Sequence, residues 1–358
     1  MRATRATIDI SALKHNLNII RALAPKSEIM AVLKADAYGH GLLEIARQLS
    51  DVSCIGVACL QEAVLLREGG VDTDIVLLEG FFDADEMPAI LDYGLTLVVH
   101  HQEQIDALTT CVSDTSIPVW IKLDTGMHRL GFSPNEFLSV YESLKNCPNV
   151  DAIGVMNHLA CADDIQSDKT YKQLERMKQA IGDLELPISC SNSAAVLAWP
   201  EAHYDLVRPG ILLYGVSPMA SQVGQDHGLK PIMSLQSEVI AVRTIEAGET
   251  VGYGASWVAD KPTKVATIGI GYGDGYPRNV KQGTPVWISG KEYPIIGRVS
   301  MDMLTIDVTD DAIHVGDKVV LWGPELPVER IARSVGTIPY ELLCGITQRV
   351  PYDYFYPS

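Results

Sequence analysis

Eight short apolar runs recur over the first two thirds of the chain, at Ile29–Leu33, Cys54–Ala58, Asp74–Leu78, Leu95–Val99, Val119–Leu123, Ala152–Met156, Ile188–Cys190 and Leu206–Val207. Each ends in polar or small residues. Between most of them lie stretches with helical spacing and charged faces, such as Gln61–Glu68 and Ser167–Leu184. Strand and helix therefore alternate eight times, and the natural architecture for that count is a (β/α)8 barrel. From about residue 231 the texture changes. Ser237–Arg243, Lys264–Ile270, Thr284–Ser289, Tyr293–Ile296, Met303–Val308 and Lys318–Trp322 are alternating or β-branched runs joined by Gly, Asp and Pro turns, with one helical stretch at Pro327–Ser334. The expectation is an α/β chain with a barrel over residues 1–230 and a mainly β domain over 231–358, the first few residues being free to pack on the β domain. A length of 358 residues with 47% hydrophobic composition supports two such cores.

A formal net charge of -17 argues against a nucleic-acid or anionic-membrane surface. Any phosphate must then be held by local amides, hydroxyls and a few placed cations. Residues Met1–Ile20 carry Arg2, Arg5, Asp9, Lys14 and His15 and no export-type apolar core, and no stretch is long enough to cross a bilayer, so a cytoplasmic setting is expected. Seven cysteines without CxxC spacing indicate neither a disulfide framework nor a metal site.

Barrel enzymes build their sites at the C-terminal ends of the strands, and the residues just past the runs are Lys34, Glu79, His100, Lys122, His158, Asn192 and Arg208. Lys34 leaves an apolar strand for the loop Ala35–Gly41, a position with a desolvated floor and an open side, as a reactive amine requires. In Val119–Phe132, Lys122 sits seven residues before Arg129, a repulsive pair unless a group such as Asp124 neutralises it. Asn192 and Ser193 should open a helix, where they could meet a phosphate or simply cap it. Arg208-Pro209-Gly210-Ile211 adds a cation and a turn whose amides could face the same anion. In the β domain, Gly252 and Gly254 flank Tyr253 and expose its hydroxyl, while Gly271–Arg278 and Gly297–Met303 read only as loops.

Taken in order, AVLKADAYGHG, IKLDTGMHRLGF, NSAA, VRPG, VGYGASW, GYGDGYPR and GRVSMDM resemble the alanine racemases over more than 300 residues. The resemblance implies pyridoxal 5'-phosphate as cofactor, L-alanine and D-alanine as substrates, and a homodimer with shared active sites engaged in D-alanine metabolism. It makes Lys34 the cofactor lysine and Tyr253, supplied by the partner, the opposing base. It matches Arg208 to the ring nitrogen, His158 to the ring's flank, and Tyr38, Asn192, Ser193, Gly210, Ile211 and Tyr340 to the cofactor and its phosphate. Arg129 and Met301 match substrate contacts, Tyr272 and Asp302 the entrance, and Lys122 a carbamylated lysine. Met156–Cys161 has Asn157, Leu159 and Cys161 where the family often has Thr, Phe and Ser, a departure in local packing alone. Free lysine and tyrosine side chains titrate near pH 10, so such bases need cations or desolvation to act at neutral pH. Non-catalytic barrel proteins that bind the cofactor lack the β domain, and the related decarboxylases carry cysteine and aspartate in place of the tyrosine loop.

Overall fold

The computed structural model describes residues 2–111 and 113–356, arranged as two compact units. One comprises Leu17–Leu213 with Pro218–Ala220; the other comprises the N-terminal segment up to Asn16, Tyr214–Ser217 and the chain from Ser221 onward. Tyr214–Ser217 and the chain from Ser221 onward pack with the second of these units. The cause is local: Ile232 N–H donates to Tyr214 O, and the amides of Ser217 and Gly224 donate to the buried Glu329 carboxylate.

After β1 (Arg5–Asp9), the first unit contains β2 (Glu28–Val32), β3 (Cys54–Val57), β4 (Asp74–Leu77), β5 (Thr96–Val99), β6 (Ile117–Lys122), β7 (Val150–Met156), β8 (Ile188–Ser189) and β9 (Leu206–Val207). All eight runs of the first two thirds are strands. They pair in parallel from β2 through β8, with β9 on the free side of β2. Asp205 N–H to Ile188 O, Arg208 N–H to Ser191 O and a parallel bridge between Asn192 and Arg208 link the two remaining edges, so the barrel is nearly closed.

Inside, Met30, Cys54, Val76, Val98, Met156 and Leu206 pack with Trp120, so seven strands contribute to one core. Burying each large side chain is worth about 1.5–3 kcal/mol. Gly154 makes room for Trp120, since a Cβ there would lie 2.5 Å from its ring. Burial also pushes the Cys54 thiol up to about 12, with Asp74 and Glu28 adding to it, which leaves an inert core thiol.

The second unit contains β10 (Met233–Ile245), β11 (Thr250–Val251), β12 (Trp257–Val258), β13 (Thr263–Ile268), β14 (Pro285–Ile288), β15 (Lys291–Ile296), β16 (Leu304–Asp307), β17 (Lys318–Trp322) and β18 (Tyr352–Phe355). β10 is long enough to serve several partners. It pairs with β17 and β1 over its first half and with β13 over its second, with a register shift between Val239 and Ala241. The series β13-β16-β15-β14-β17-β10 therefore closes into a ring, and β1 and β18 extend it. β1 binds β10 antiparallel and β18 parallel, so the first residues belong to this unit. Sequence reading assigned no strand to β1 or β18 and no helix to Pro339–Cys344, because each is too short to show a period.

Candidate active site

The stretch after β2 does not continue as an ordinary loop. Ala35, Asp36, Ala37 and Tyr38 have φ of 54°, 53°, 52° and 53°, one turn of left-handed helix without a glycine. Such a conformation costs roughly 1–2 kcal/mol per residue for L-amino acids, so it persists only where its surroundings hold it. Several bonds do so here. Ala37 N–H donates to Leu33 O at 2.7 Å, Ala35 N–H to Glu62 Oε1 at 2.7 Å, and Leu42 N–H to Asp36 Oδ1 at 2.7 Å. The turn follows directly on Lys34 and carries Tyr38 to Gly210, where an added Cβ would lie 2.5 Å from the Tyr38 hydroxyl oxygen.

Ser193 meets the same turn. Its Oγ accepts from Gly210 N–H at 2.9 Å, while Asn192 caps the helix Ser193–Ala198 by accepting from Ala195 N–H at 3.0 Å. Tyr38, Ser193 and Gly210 thus form one hydroxyl-lined cradle, with Ile211 fully buried beside it.

Arg208, directly after β9, is 5% exposed. Its Nη1 donates to Ser189 Oγ at 2.6 Å, and Nη2 donates to Asn157 O at 2.6 Å and lies 3.5 Å from His158 Nδ1. These acceptors are neutral, and burial lowers the guanidinium to about 10 against a small opposing effect of Cys190. It remains a cation at neutral pH. Its Nε–H stays outside this set of bonds.

Lys122 ends β6. Burial and then the charges of Arg208, Arg129 and Lys34 hold its amine well below the ordinary lysine range. The following excursion returns on itself: Phe132 N–H donates to Lys122 O and Asp124 N–H to Phe132 O, both at 2.8 Å, which brings Arg129 back towards Lys122. Gly131 is required there, with φ 123° and an added Cβ 2.8 Å from Lys122 O. Asp124 does not neutralise Lys122. Its Oδ1 accepts the amides of Gly126, Met127 and His128, and its Oδ2 pairs with His128 Nδ1 at 3.2 Å. Among the described residues, neither Lys122 nor Arg129 has an ion-pair partner.

His158 is held neutral by burial first and then by Arg208, Lys122, Arg129 and Lys34. Its backbone is secured by Gln173, whose Nε2 donates to His158 O at 3.0 Å and whose Oε1 accepts from Ala160 N–H. Gln173, Ser189 and Glu62 are supports that sequence reading did not single out, and Asn157, noted there only as a packing departure, accepts from Arg208 through its carbonyl. Each acts on a residue distant in the chain, so no local pattern marks it. His100, by contrast, is committed to Glu79 O at 2.9 Å.

The β unit assembles a second group. Tyr253 is 70% exposed between Gly252 (φ 77°) and Gly254 (φ 73°), where added Cβ atoms would crowd Arg298 at 3.3 and 3.2 Å. Tyr272 N–H donates to Ser300 O and Gly273 N–H to Met301 O, which fixes the Tyr272 loop against that of Met301 and Asp302. Asp302 accepts from Arg349 at 2.6 Å. Tyr340 lies in the first turn of helix Pro339–Cys344.

A parallel barrel whose strand ends gather amines, a guanidinium and hydroxyls, followed by a closed β unit, has the form of a two-domain barrel enzyme. Residues 8–218 match the family "Alanine racemase, N-terminal domain" and residues 232–354 match "Alanine racemase, C-terminal domain". The chain is 48% identical to the alanine racemase of Shewanella woodyi over 97% of both chains. The crystal structure of biosynthetic alanine racemase from Pseudomonas aeruginosa superposes with a TM-score of 0.97 at 43% identity, covering 99% of this chain and 100% of that one. The alanine racemase structure from Acinetobacter baumannii gives 0.93 at 40% identity, covering 99% and 100%. The chain belongs to the alanine racemase family, and is an isomerase.

Proposed function

We infer that this chain interconverts L-alanine and D-alanine with pyridoxal 5'-phosphate, Lys34 and Tyr253 acting on opposite faces of the α-carbon. The observation that carries this reading is the gathering of Lys34, Lys122, Arg129, His158 and Arg208 at the strand ends, beside the Tyr38–Ser193–Gly210 cradle. The donor set fits the cofactor. Two hydroxyls gathered at a glycine turn too tight for a side chain suit a phosphate, and a buried arginine bonded only to neutral acceptors can still donate to a ring nitrogen. When bound, the cofactor supplies an aldehyde for amines and an electron-withdrawing ring that acidifies the α C–H bond.

The remaining work falls to the chain. Lys34 Nζ holds the cofactor and then exchanges the proton on the D-alanine face, while Tyr253 Oη exchanges it on the L-alanine face. Inversion follows when the proton leaves to one base and returns from the other. Arg129 and Met301 contact the substrate carboxylate, Asn192, Ile211 and Tyr340 complete the cofactor set, and Tyr272 and Asp302 flank the entrance. Arg208 keeps its proton and so gives a hydrogen bond rather than a charge, which limits how far electron density is drawn from the α-carbon.

Lys122 carries a carbamate in this reading. Its neutral amine attacks the carbon of carbon dioxide, an N–C bond forms as one C=O pair moves to oxygen, and the amine proton passes to water. A cation becomes an anion that can hold Arg129, and the depressed basicity of Lys122 among three cations favours the reaction. Tyr253 comes from a second copy, giving a homodimer with two shared sites; its exposure on its own chain supports this. Seven free cysteines suit a reducing, cytoplasmic setting.

The test combines assay and complementation. The protein with its cofactor is incubated with L-alanine while D-alanine formation and carbon dioxide release are followed. Inactive Lys34→Ala and Tyr253→Ala chains are then dissociated, mixed and reassociated. Racemisation without carbon dioxide, and recovery of roughly a quarter of wild-type sites in the mixture, are expected. Absence of D-alanine refutes the activity, whereas inactive confirmed heterodimers refute the shared site.

A further inference from the structure

Asp274 belongs to Gly271–Arg278, which on sequence alone is only a turn-rich loop, and the proposed chemistry uses neither it nor Arg2. Its side chain is nonetheless fully buried. Its carboxylate is gripped from the beginning of the chain: Arg2 Nη1 lies 2.6 Å from Oδ1 and Arg2 Nη2 lies 2.8 Å from Oδ2, a two-pronged fork. The same Nη2 also donates to Gly269 O at 3.0 Å and to Asp302 O at 3.2 Å. One guanidinium therefore ties the start of the Tyr272 loop, its buried centre and the Met301–Asp302 loop together. Arg349 reinforces the knot from the other end of the chain, 3.4 Å from Asp274 Oδ1 and 2.6 Å from Asp302 Oδ1.

Burial of Ile270, Tyr276 and Val299 anchors the bases of these loops, but Met301 is 52% exposed and Tyr272 38%, so apolar packing does not fix the tips. What remains is polar. The two loops share the hydrogen bonds from Tyr272 N–H to Ser300 O and from Gly273 N–H to Met301 O, and Gly271 N–H donates to Asp274 Oδ2 at 3.0 Å. Asp274 is also bound to the C-terminal stretch, since Thr347 N–H donates to its carbonyl and Thr347 Oγ1 to Gly273 O.

We propose that Arg2 is a positioning residue, a clasp at the N-terminus that sets the placement of Tyr272 and Met301 through Asp274 and Asp302. A buried carboxylate gives such a clasp its strength, because loss of Arg2 leaves the charge with the Gly271 amide and one longer cation contact, to Arg349. Lysine cannot replace the fork, since one ammonium cannot match two carboxylate oxygens and two carbonyls in a plane. The functional consequence rests on the reading above that Met301 contacts the substrate and Tyr272 flanks the entrance.

The experiment compares the untagged holoenzyme with Arg2→Ala, Arg2→Lys, Asp274→Asn and the Arg2→Ala/Asp274→Asn pair. Hydrogen exchange is measured in peptides covering residues 269–275 and 298–303, beside KM and kcat for both alanine enantiomers and cofactor retention. Arg2→Ala should speed exchange in those two segments and leave β13 and β17 protected. It should raise KM by about tenfold, the effect of one lost charge-assisted hydrogen bond, with kcat and cofactor retention nearly unchanged. Arg2→Lys should fall between, and the pair should be no worse than the more affected single variant. Unchanged exchange in both segments overturns the clasp, as does strict additivity of the pair. Faster exchange with unaltered KM leaves the clasp standing and overturns the roles of Met301 at the substrate and of Tyr272 at the entrance.

Discussion

Replacing His40 with glutamine should flatten the acid side of the stability profile. His40 is completely buried where the left-handed turn ends, with Nδ1 2.9 Å from Ala37 O and its amide donating to Asp36 O at 2.9 Å. Burial pushes its pKa from 6.5 to about 4, partly opposed by the Ala37 and Tyr38 backbone. Between those values the unfolded chain binds a proton at this site and the folded chain does not. Stability therefore rises with pH through the window and is lost as pH falls from 6.5 towards 4. At about 1.4 kcal/mol per pH unit, the whole window amounts to about 3 kcal/mol. Glutamine keeps an amide donor for Ala37 O and removes the titration. Urea unfolding at a fixed protein concentration, from about pH 4 to 7, gives both profiles. The difference between wild type and His40→Gln should change by about 3 kcal/mol over that range, whatever the variant's stability at pH 7. His158 adds a slope of the same sign to both proteins, so it cancels. Parallel profiles would refute the assignment of acid sensitivity to His40.

Gly210→Ala would set a Cβ 2.5 Å from the Tyr38 hydroxyl oxygen, and should weaken cofactor retention by about tenfold, measured by absorbance after dialysis. Unchanged retention would mean that Tyr38 yields freely despite its constrained turn. Lys122→Ala should lower activity, and acetate should partly restore it by occupying the vacated anionic position beside Arg129; a loss that acetate leaves untouched would count against the carbamate. Glu329→Ala should destabilise the protein by about 1–3 kcal/mol for each stranded amide of Ser217 and Gly224, whereas Glu329→Gln should cost far less. Equal losses in the two variants, measured by urea unfolding, would show that the carboxylate's charge matters more than its bonds.

How much of this was legible in the sequence depends on the range over which each feature is determined. The barrel strands could be read because a strand buried on both faces is a continuous apolar run, and its length and ending are local properties. Lys34, Lys122, His158 and Arg208 could be marked because a strand end is also local, and a barrel places all such ends at one mouth. The glycines around Tyr253 carried the same kind of information, since a positive φ is a property of one residue.

Other features exist only once distant segments meet. Nothing near Asp274 in the chain reveals that Arg2 grips it, and nothing near Ser189 reveals that it receives the Arg208 guanidinium. The turn at Ala35–Tyr38 is the sharpest case. Its residues have no intrinsic preference for left-handed helix, and the conformation is imposed by bonds to Glu62, Leu42 and Leu33 that outweigh the local cost. Asp124 shows the same limit from the other side: sequence proximity offered it to Lys122, and the folded loop spends its carboxylate on three backbone amides and His128 instead. Sequence alone thus determined which groups stand at the strand ends. Tertiary structure decided which of them remain charged, what holds them and which neighbours they meet, because burial and pairing are fixed only when the chain has closed on itself.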